Sequence, residues 1–591
     1  MYSLQILQTE SHPHSHNQGP TTATPGSKEG FSIYGLFHYL AHTPQGKSLL
    51  RRFFLRPSVN LDVINERLDT ISVFLRPENS VQLDELVKNL KKVKNMRTVM
   101  INLRKGVGSN SPKGGISGSI WSTIRNFVFH ALKIRDFVPE LNGHERLHIC
   151  AKVLDRFESF HLAQVGRKIT EVVDFDESRL QHRTVVCPHI DIELDQLKCD
   201  YNGLESMLSA IGREIAKTVP ASFQPTLNVI YFPQIGFLIS VQREPDVNGI
   251  SLLDSNDEPW ERIFTTNQIE YYKNSEMREM DERFGDLWTA ICDKEIDIIH
   301  ELAQGVLEHE ELLTKVSDIC GELDCLLALA QGARQYKLCR PRMTTDNIIQ
   351  IKGGRHILQE LIAPSYVAND TNIAGGRGSC EDEVLPSAHS SDRSQRVGNA
   401  QRSESDFGSS SAPSMFILTG PNYSGKSVYL KQVALIVYMA HLGSFVPAES
   451  ASIGITDKIL TRISTRESVS REQSAFMIDL QQISLALSSA TRRSLLVIDE
   501  FGKGTESVDG AGLMSGVLEY LNHLGDQRPK VLAATHFHGK IPSLEGSSAS
   551  DACRNHRKWL LGAWSVSWSW TYGSYNRLSS LKSNGAAYVS I

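Results

Sequence analysis

MFILTGPNYSGKSV, residues Met415 to Val428, runs from an apolar stretch through a glycine turn into the start of a helix. Met415 to Leu418 is short and apolar, the pattern of a buried strand. Gly420-Pro421-Asn422-Tyr423-Ser424-Gly425-Lys426-Ser427 follows and fits the phosphate-binding pattern G-x-x-x-x-G-K-[ST]. The glycines let the backbone turn tightly enough for successive N–H groups to face phosphate oxygens. A helix expected over Ser427 to Leu442 aims its positive end at the same anion. In this pattern Lys426 reaches the β- and γ-phosphates of ATP and the Ser427 hydroxyl ligates Mg²⁺.

A second apolar run, Ser494 to Ile498, ends in Asp499-Glu500. In a parallel sheet this sets two carboxylates at a strand's C-terminal end, where such sheets bind ligands. Asp499 suits the outer shell of Mg²⁺, and Glu500 suits a general base for the attacking water. A third run, Lys530 to Ala534, ends in Thr535-His536. A histidine there is placed either to sense the γ-phosphate or to serve structure.

The remaining composition sets bounds. Of 591 residues, 40% are hydrophobic and 22% charged, as in soluble globular protein with several domains. A net charge of −5 leaves no global basic field, so any nucleic-acid contact must come from local patches or enclosure. The nine cysteines form no paired C-x-x-C set, which argues against zinc and for free thiols in a reducing compartment. Neither a membrane-spanning run nor a secretory signal is visible, which points to cytosol or nucleus. His12, His14 and His16 read as polar N-terminal sequence rather than as a metal tract.

In order along the chain, residues 1–30 read as a polar linker and 31–183 as helical. Within the latter, Lys88, Lys91, Lys92 and Lys94 form a basic stretch that is either a solvated face or a DNA contact. Residues 184–268 read as a smaller α+β insertion, with strands at Thr184 to Val186 and Val229 to Val241 around a helix from Ile190 to Lys217. Helices return over 269–345, including the apolar octet Leu323 to Ala330. Residues 346–541 carry the α/β pattern, interrupted by a disordered polar insertion at 374–413. The tail, 542–591, has no steady period yet holds Trp559, Trp564, Trp568 and Trp570, and is expected to be unstructured. The expected fold is thus multidomain α and α/β: a long helical part with an inserted α+β segment, then a P-loop nucleotide-binding domain.

These residues resemble the MutS family of DNA mismatch and junction ATPases. TGPNYSGKSVYLKQ (Thr419 to Gln432), GSFVPAE (Gly443 to Glu449), SAFMIDL (Ser474 to Leu480), DEFGKGTESVDGAGL (Asp499 to Leu513) and ATHF (Ala534 to Phe537) follow one another in that family's order. LLRRFFLRPSVNLDVINERLD (Leu49 to Asp69) is similar to the start of its core domain. Val428, EFGKGT (Glu500 to Thr505), VVDFD (Val172 to Asp176) and NVIYFPQIGFLIS (Asn228 to Ser240) resemble its meiotic branch.

The resemblance implies an ABC-type ATPase domain, a helical core and lever, and an α+β DNA clamp, so that two crossing arms enclose DNA. It implies that Gly420 to Ser427 hold ATP, that Ser427 and Asp499 hold Mg²⁺, and that Glu500 and His536 serve as base and switch histidine. Tyr366 takes the position whose ring stacks on adenine. Asn422 and Ser474 act at a dimer interface, Ser474 reaching the partner's γ-phosphate. The implied partners are duplex and branched DNA and a second MutS-family subunit, the fourth MutS homologue, in the nucleus and with no membrane.

Three residues depart from the family pattern: Ala475 for Thr, Ser424 for Gly and Ile357 for Pro. No Phe-x-Glu mismatch wedge and no C-terminal helix-turn-helix is recognised, so the chain is expected to be incomplete at both ends. The implied function is an ATP-driven sliding clamp on branched intermediates of meiotic crossing-over. The alternatives are a mismatch sensor and a truncated, non-catalytic scaffold. A transporter-type ATPase lacks its LSGGQ signature here, and Gly502 to Gly512 lacks the glycine spacing of a dinucleotide site.

Overall fold

A computed structural model of the chain describes residues 4–7, 32–108, 116, 118–219, 224–242, 260–266, 268–378, 412–421, 424–463, 475–503 and 505–537. The expectations for the tail 542–591, for most of the insertion 374–413, and for Asn422, Tyr423 and Ser474 lie outside these residues. Among the described residues no helix is long and apolar enough to cross a membrane.

The first half is helical: α1 (Ile33–His38), α2 (Pro44–Leu55), α3 (Leu61–Phe74), α4 (Ser80–Leu90), α5 (Met96–Gly108), α6 (Gly118–Phe137), α7 (His148–Arg156) and α8 (Ser159–Val172). Side-chain caps start several of them: Thr43 accepts from the Gly46 N–H at α2, and Asn60 from Asp62 and Val63 at α3. α2 buries Leu50 and Phe54 while Arg51 and Arg52 face solvent. Of the basic stretch, only Lys88 lies on α4, bonded to Glu85 at 2.6 Å; Lys91, Lys92 and Lys94 follow the helix end and share no helical face.

The chain divides into two compact units. The described residues of Lys92–Arg135 and Leu154–Ser317 make one of them. There β1 (Val173–Asp174) pairs antiparallel with β2 (Val185–Val186), followed by α9 (Phe175–Leu180) between them in sequence and by α10 (Ile192–Thr218). The main sheet of this unit is β3 (Asn228–Phe232), β4 (Gly236–Gln242), β5 (Glu261–Thr265) and β6 (Ile269–Lys273), in antiparallel order β3-β4-β6-β5. Val185 and Val186, expected as part of the α+β insertion's strands, therefore pair elsewhere. The run from Val229 to Val241 is two strands, because Gln234 and Gly236 both take left-handed backbone, with φ of 70° and 98°. Glycine is required at 236, where a Cβ would collide with the Asp281 carboxylate that accepts the Phe237 N–H at 2.9 Å.

β6 occupies part of the segment in which the sequence pattern placed returning helices. Tyr272 of β6 belongs to the same apolar cluster as Leu204, Leu208, Phe237, Ile239 and Met277, and that burial keeps the segment extended. Helices resume with α11 (Ser275–Phe284), α12 (Leu287–Leu307) and α13 (Glu310–Gln335). α12 buries one face through Leu287, Ile291, Ile299, Leu302 and Val306. On that face Glu295, 2% exposed, accepts from the Val186 N–H at 3.1 Å and pairs with Lys198 at 2.7 Å and with Arg183.

The second unit takes the described residues of Met1–Lys91, Asp136–Val153 and Asp318–Ile591. Residues 4–7, expected as loose linker, are docked: Leu4 and Ile6 are buried, and the Gln5 and Ile6 carbonyls accept from Ile33 and Tyr34 at 3.0 Å. The octet Leu323 to Ala330 is buried throughout. Its one acidic side chain, Asp324, accepts from the His42 N–H (2.9 Å) and from the Thr43 N–H and hydroxyl (both 2.7 Å), so a buried carboxyl closes the start of α2.

The α/β part of this unit holds two sheets. β7 (Arg342–Thr344), β8 (Ile348–Gly354), β9 (Asn369–Ala374) and β11 (Ser450–Gly454) form a mixed sheet of order β7-β11-β8-β9, with α14 (Ile357–Ile362) between β8 and β9. β10 (Met415–Thr419), β12 (Ile459–Arg462), β13 (Leu495–Asp499) and β14 (Lys530–Thr535) form a parallel sheet of order β10-β14-β13-β12. Its helices are α15 (Lys426–Leu442), α16 (Ala475–Ser489) and α17 (Ser507–His523). Every residue of β13 and β14 is buried, as in strands covered on both faces.

Leu496, Ile498, Val531 and Ala533 share a cluster with Met514 and Leu518 of α17, while α15 packs on the same two strands. At about 1.5–3 kcal/mol per fully buried aliphatic side chain, this core carries the unit. α15 is buried all round from Gln432 to Leu442. Its far end meets the helical half: Tyr438 donates to the Phe54 carbonyl, Arg67 to the Leu442 carbonyl (2.8 Å), and the Ser58 N–H to the His441 carbonyl (2.9 Å).

Both margins of the insertion expected to be disordered are fixed. Ala374 donates to the Pro413 carbonyl at 3.0 Å, and Gly375, Gly376 and Gly378 donate to Asn347, Arg528 and Asp526. Asn347 in turn is bonded to Lys530, whose ammonium is fully buried at the start of β14 and also donates to the Arg493 carbonyl at 3.1 Å.

Candidate functional site: a nucleotide-binding centre

Parallel pairing brings distant residues to one edge. Thr419 is in register with Thr535, and Ala534 with Asp499, so the strand ends that lead into Gly420, Glu500 and His536 lie side by side. Gly425 caps α15 with φ 89° and no side-chain cap, which leaves the first N–H groups of the helix for another acceptor. The turn is tight: a Cβ on Gly420 would lie 3.3 Å from Ser424 Oγ.

Lys426 Nζ donates to the carbonyls of Gly420 (2.9 Å) and Pro421 (2.8 Å), folding its ammonium over its own loop. Burial holds this ammonium below the ordinary lysine range, against the pull of Glu500 and Asp499. Asp499 is 3% exposed. Burial pushes its carboxyl up, partly offset by a hydrogen bond from Ser427. Its Oδ1 has no protein partner. A buried, orphaned carboxylate oxygen beside a serine hydroxyl is the hard-oxygen pair that suits Mg²⁺, which takes few protein ligands and completes its shell with phosphate and water. Among the described residues no cluster of three or more His, Cys, Asp or Glu offers an alternative metal site.

Glu500 has left-handed backbone, φ 51°, unusual for a residue with a side chain. Its N–H donates to the Ala534 carbonyl at 2.9 Å, which turns the side chain off the end of β13. Oε1 lies 2.5 Å from His536 Nε2 and Oε2 accepts from Lys503 Nζ at 2.8 Å. Burial pushes the Glu500 carboxyl up, but the bonds with Lys503 and His536 outweigh it and hold the group below its ordinary range. The carboxylate is therefore ionised, with both oxygens engaged.

Tyr366 lies in the segment between α14 and β9. Its ring is half-buried, its hydroxyl donates to Gln432 Oε1 at 2.7 Å, and burial pushes the phenol up to about 12. The structure thus gathers Gly420, Pro421, Ser424, Gly425, Lys426, Ser427, Asp499, Glu500 and His536 around one strand edge. Asn422, Tyr423 and Ser474 lie outside the described residues.

Sequence reasoning missed three supports. Arg462, at the end of β12, donates to the Asp499 carbonyl and to Asp479 of α16, a buried ion pair under the carboxylate turn. Lys503 and Gln432 are the others. The four-residue strand that ends in Arg462 was a findable signal; its partner Asp479, 17 residues on, was not.

MutS domain III matches residues 1–330, and MutS domain V matches residues 416–555. The chain belongs to the MutS family. It is similar to MutS protein homolog 5 of Saccharomyces cerevisiae, 33% identical over 527 residues, covering 86% of this chain and 54% of that protein. The MutS protein homolog 5 of Caenorhabditis elegans is 27% identical over 514 residues, covering 86% of this chain and 33% of that protein. The DNA mismatch repair protein MutS of Parabacteroides distasonis is 28% identical over 501 residues, covering 84% and 50%. The chain thus spans half or less of the length of most of these MutS-family relatives.

Proposed function

We propose that the chain is an ATP-dependent DNA-binding protein of the MutS family, with an ABC-type P-loop ATPase domain. It acts on branched recombination intermediates in the meiotic nucleus, as a clamp, with a second MutS-family subunit such as the fourth homologue. The observation that carries the ATPase reading is the meeting of Lys426, Ser427, the orphaned Asp499 Oδ1 and Glu500 at one edge of a parallel sheet. The similarity to MutS homolog 5 of yeast and the quoted branch motifs support the meiotic reading.

On binding, Lys426 exchanges the Gly420 and Pro421 carbonyls for phosphate oxygens. The free N–H groups at the start of α15 take the same anion. Ser427 and Asp499 would hold Mg²⁺, which would supply charge neutralisation on the phosphates. Tyr366 offers its ring to adenine. Glu500 accepts the proton of the attacking water on a lone pair that the single bonds to His536 and Lys503 leave open on its two oxygens. His536, at the strand end, exchanges Glu500 for the γ-phosphate. Asn422, Tyr423 and Ser474 complete the site, Ser474 acting on a partner's nucleotide. The α+β segment with the β3-β4-β6-β5 sheet is the DNA clamp, and the helices of 31–183 and 269–345 are the lever.

The test is nucleotide and DNA binding by the purified chain, alone and with the partner subunit. Lys426→Ala is expected to abolish ATP binding at concentrations that saturate the wild type. DNA binding is expected to favour a four-way junction over a G·T duplex at matched salt, and to weaken steeply as salt rises. Retained ATP binding in Lys426→Ala overturns the ATPase reading. Tighter binding to the mismatch transfers the chain to the repair reading carried by the bacterial relatives.

A further inference from the structure

Gln432 lies on α15, six residues beyond Lys426, and is fully buried. Its Oε1 accepts the Tyr366 hydroxyl at 2.7 Å, and its Nε2 has no protein partner. A buried amide in this state is held by a shape that admits little else. The shape is set by Gly354 at the end of β8. A Cβ there would lie 2.5 Å from Gln432 Nε2, 2.9 Å from Ile351 Cγ2 and 3.0 Å from the Asn369 carbonyl. A Cβ at 354 would push the amide out of the position from which it reaches the tyrosine.

The same helix is tied to the strand that follows Tyr366. Tyr429 bonds to Thr371 Oγ1 at 2.8 Å and donates to the Asp370 carbonyl at 3.3 Å. One rigid element therefore carries both the lysine of the glycine loop and the anchor of the aromatic ring. A tyrosine pinned at its hydroxyl keeps its rotamer and can turn only about its own long axis. Its ordering cost is met before any ligand arrives.

We infer that Gln432 is a positioning residue for the nucleotide base: through the Tyr366 hydroxyl it fixes the ring as a preset platform at a constant distance from the phosphate loop. The inference rests on the reading of Tyr366 as the adenine platform. It adds that binding of the base, and not of the phosphate chain, depends on Gln432 and Gly354.

Equilibrium binding of ATP and of inorganic tripolyphosphate to the full chain, with Mg²⁺, separates the two. Gln432→Leu and Tyr366→Phe are each expected to raise the Kd for ATP by about 3–10-fold, the size of one side chain's ordering cost. Both should leave tripolyphosphate within about twofold, and the double variant should lose no more than the worse single variant. Gly354→Ala should act in the same direction. Equal weakening of both ligands, additive losses, or an unchanged ATP Kd in Gln432→Leu and Tyr366→Phe overturns the inference. Tyr366→Ala tells the two levels apart. A loss of about 5–150-fold there, with Gln432→Leu silent, keeps the platform and removes the positioning role. No loss in Tyr366→Ala removes the platform itself. Should Gln432→Leu fail to fold, Gln432→Met takes its place, since it keeps the length of the side chain and removes the acceptor, whereas the Tyr366 hydroxyl also bonds to the His356 backbone.

Discussion

Two four-stranded sheets of this protein are built in opposite senses. The sheet β10-β14-β13-β12 is parallel, and its C-terminal ends gather Thr419, Asp499 and Thr535 on one edge. The sheet β3-β4-β6-β5 is antiparallel, so neighbouring strands end at opposite edges and no such gathering occurs. Burial differs in the same way. β13 and β14 are covered on both faces, whereas β5 is almost wholly exposed. Parallel connection requires crossover helices, and those helices both cover the sheet and deliver the loops that carry chemistry. In the antiparallel sheet the pairs β3–β4 and β5–β6 are each joined by three residues, and no crossover helix is needed between them. The one gathers its strand ends at a single edge; the other divides them between two.

The strongest test of that contrast uses single side chains. Glu500→Ala, at the end of β13, should lower ATP turnover by about 10²–10⁴-fold while leaving ATP binding in place, since the phosphate cradle is untouched. Glu261→Ala, on exposed β5 and paired with Arg278, should leave turnover within about twofold. Comparable losses at both positions in a steady-state ATPase assay would break the comparison.

Stability should divide along the same line. Leu496→Ala, in fully buried β13, is expected to cost about 2–5 kcal/mol. Ile263→Ala, 39% exposed on β5, is expected to stay within about 0.5 kcal/mol. Urea denaturation followed by tryptophan-independent circular dichroism measures both, and equal costs would mean that β5 is covered in solution.

A smaller effect sharpens the parallel side. Burial draws the Lys530 ammonium down to about 7, against the pull of Asp457. The unfolded chain then binds more protons than the folded one between pH 7 and the ordinary lysine range. Stability from this group therefore rises with pH across that window, by at most about 1.4 kcal/mol per unit. Lys530→Met should remove that rise, read as the difference in urea midpoint between pH 7 and pH 9. An identical pH response in the variant would show that the ammonium is solvated in the native state.

Much of this protein is legible in local sequence. The G-x-x-x-x-G-K-S spacing, the apolar runs ending in Asp499-Glu500 and Thr535-His536, and the helical periods before Val172 are short-range signals. They lie within one turn or one strand, so they survive reading one residue after another. What the sequence could not supply are partners without a period. Residues 4–7 pair with the start of α1 across a polar segment, and Ile269 to Lys273 stays extended because Tyr272 joins the cluster of Phe237 and Met277. Gly375 to Gly378 is fixed by Asn347, Asp526 and Arg528, up to 152 positions away along the chain.

The candidate site divides in the same manner. Its loop and carboxylates follow from residue type and spacing. The state of those groups does not: Lys426 turned onto its own carbonyls, Glu500 held by Lys503 and His536, and Arg462 with Asp479 beneath Asp499. The free energy of a buried charge depends on which groups surround it in space, at distances of about 3 Å, and chain order alone leaves those neighbours open. Sequence therefore marked which residues make up the candidate site, and only the tertiary structure decided how each of them is charged and held.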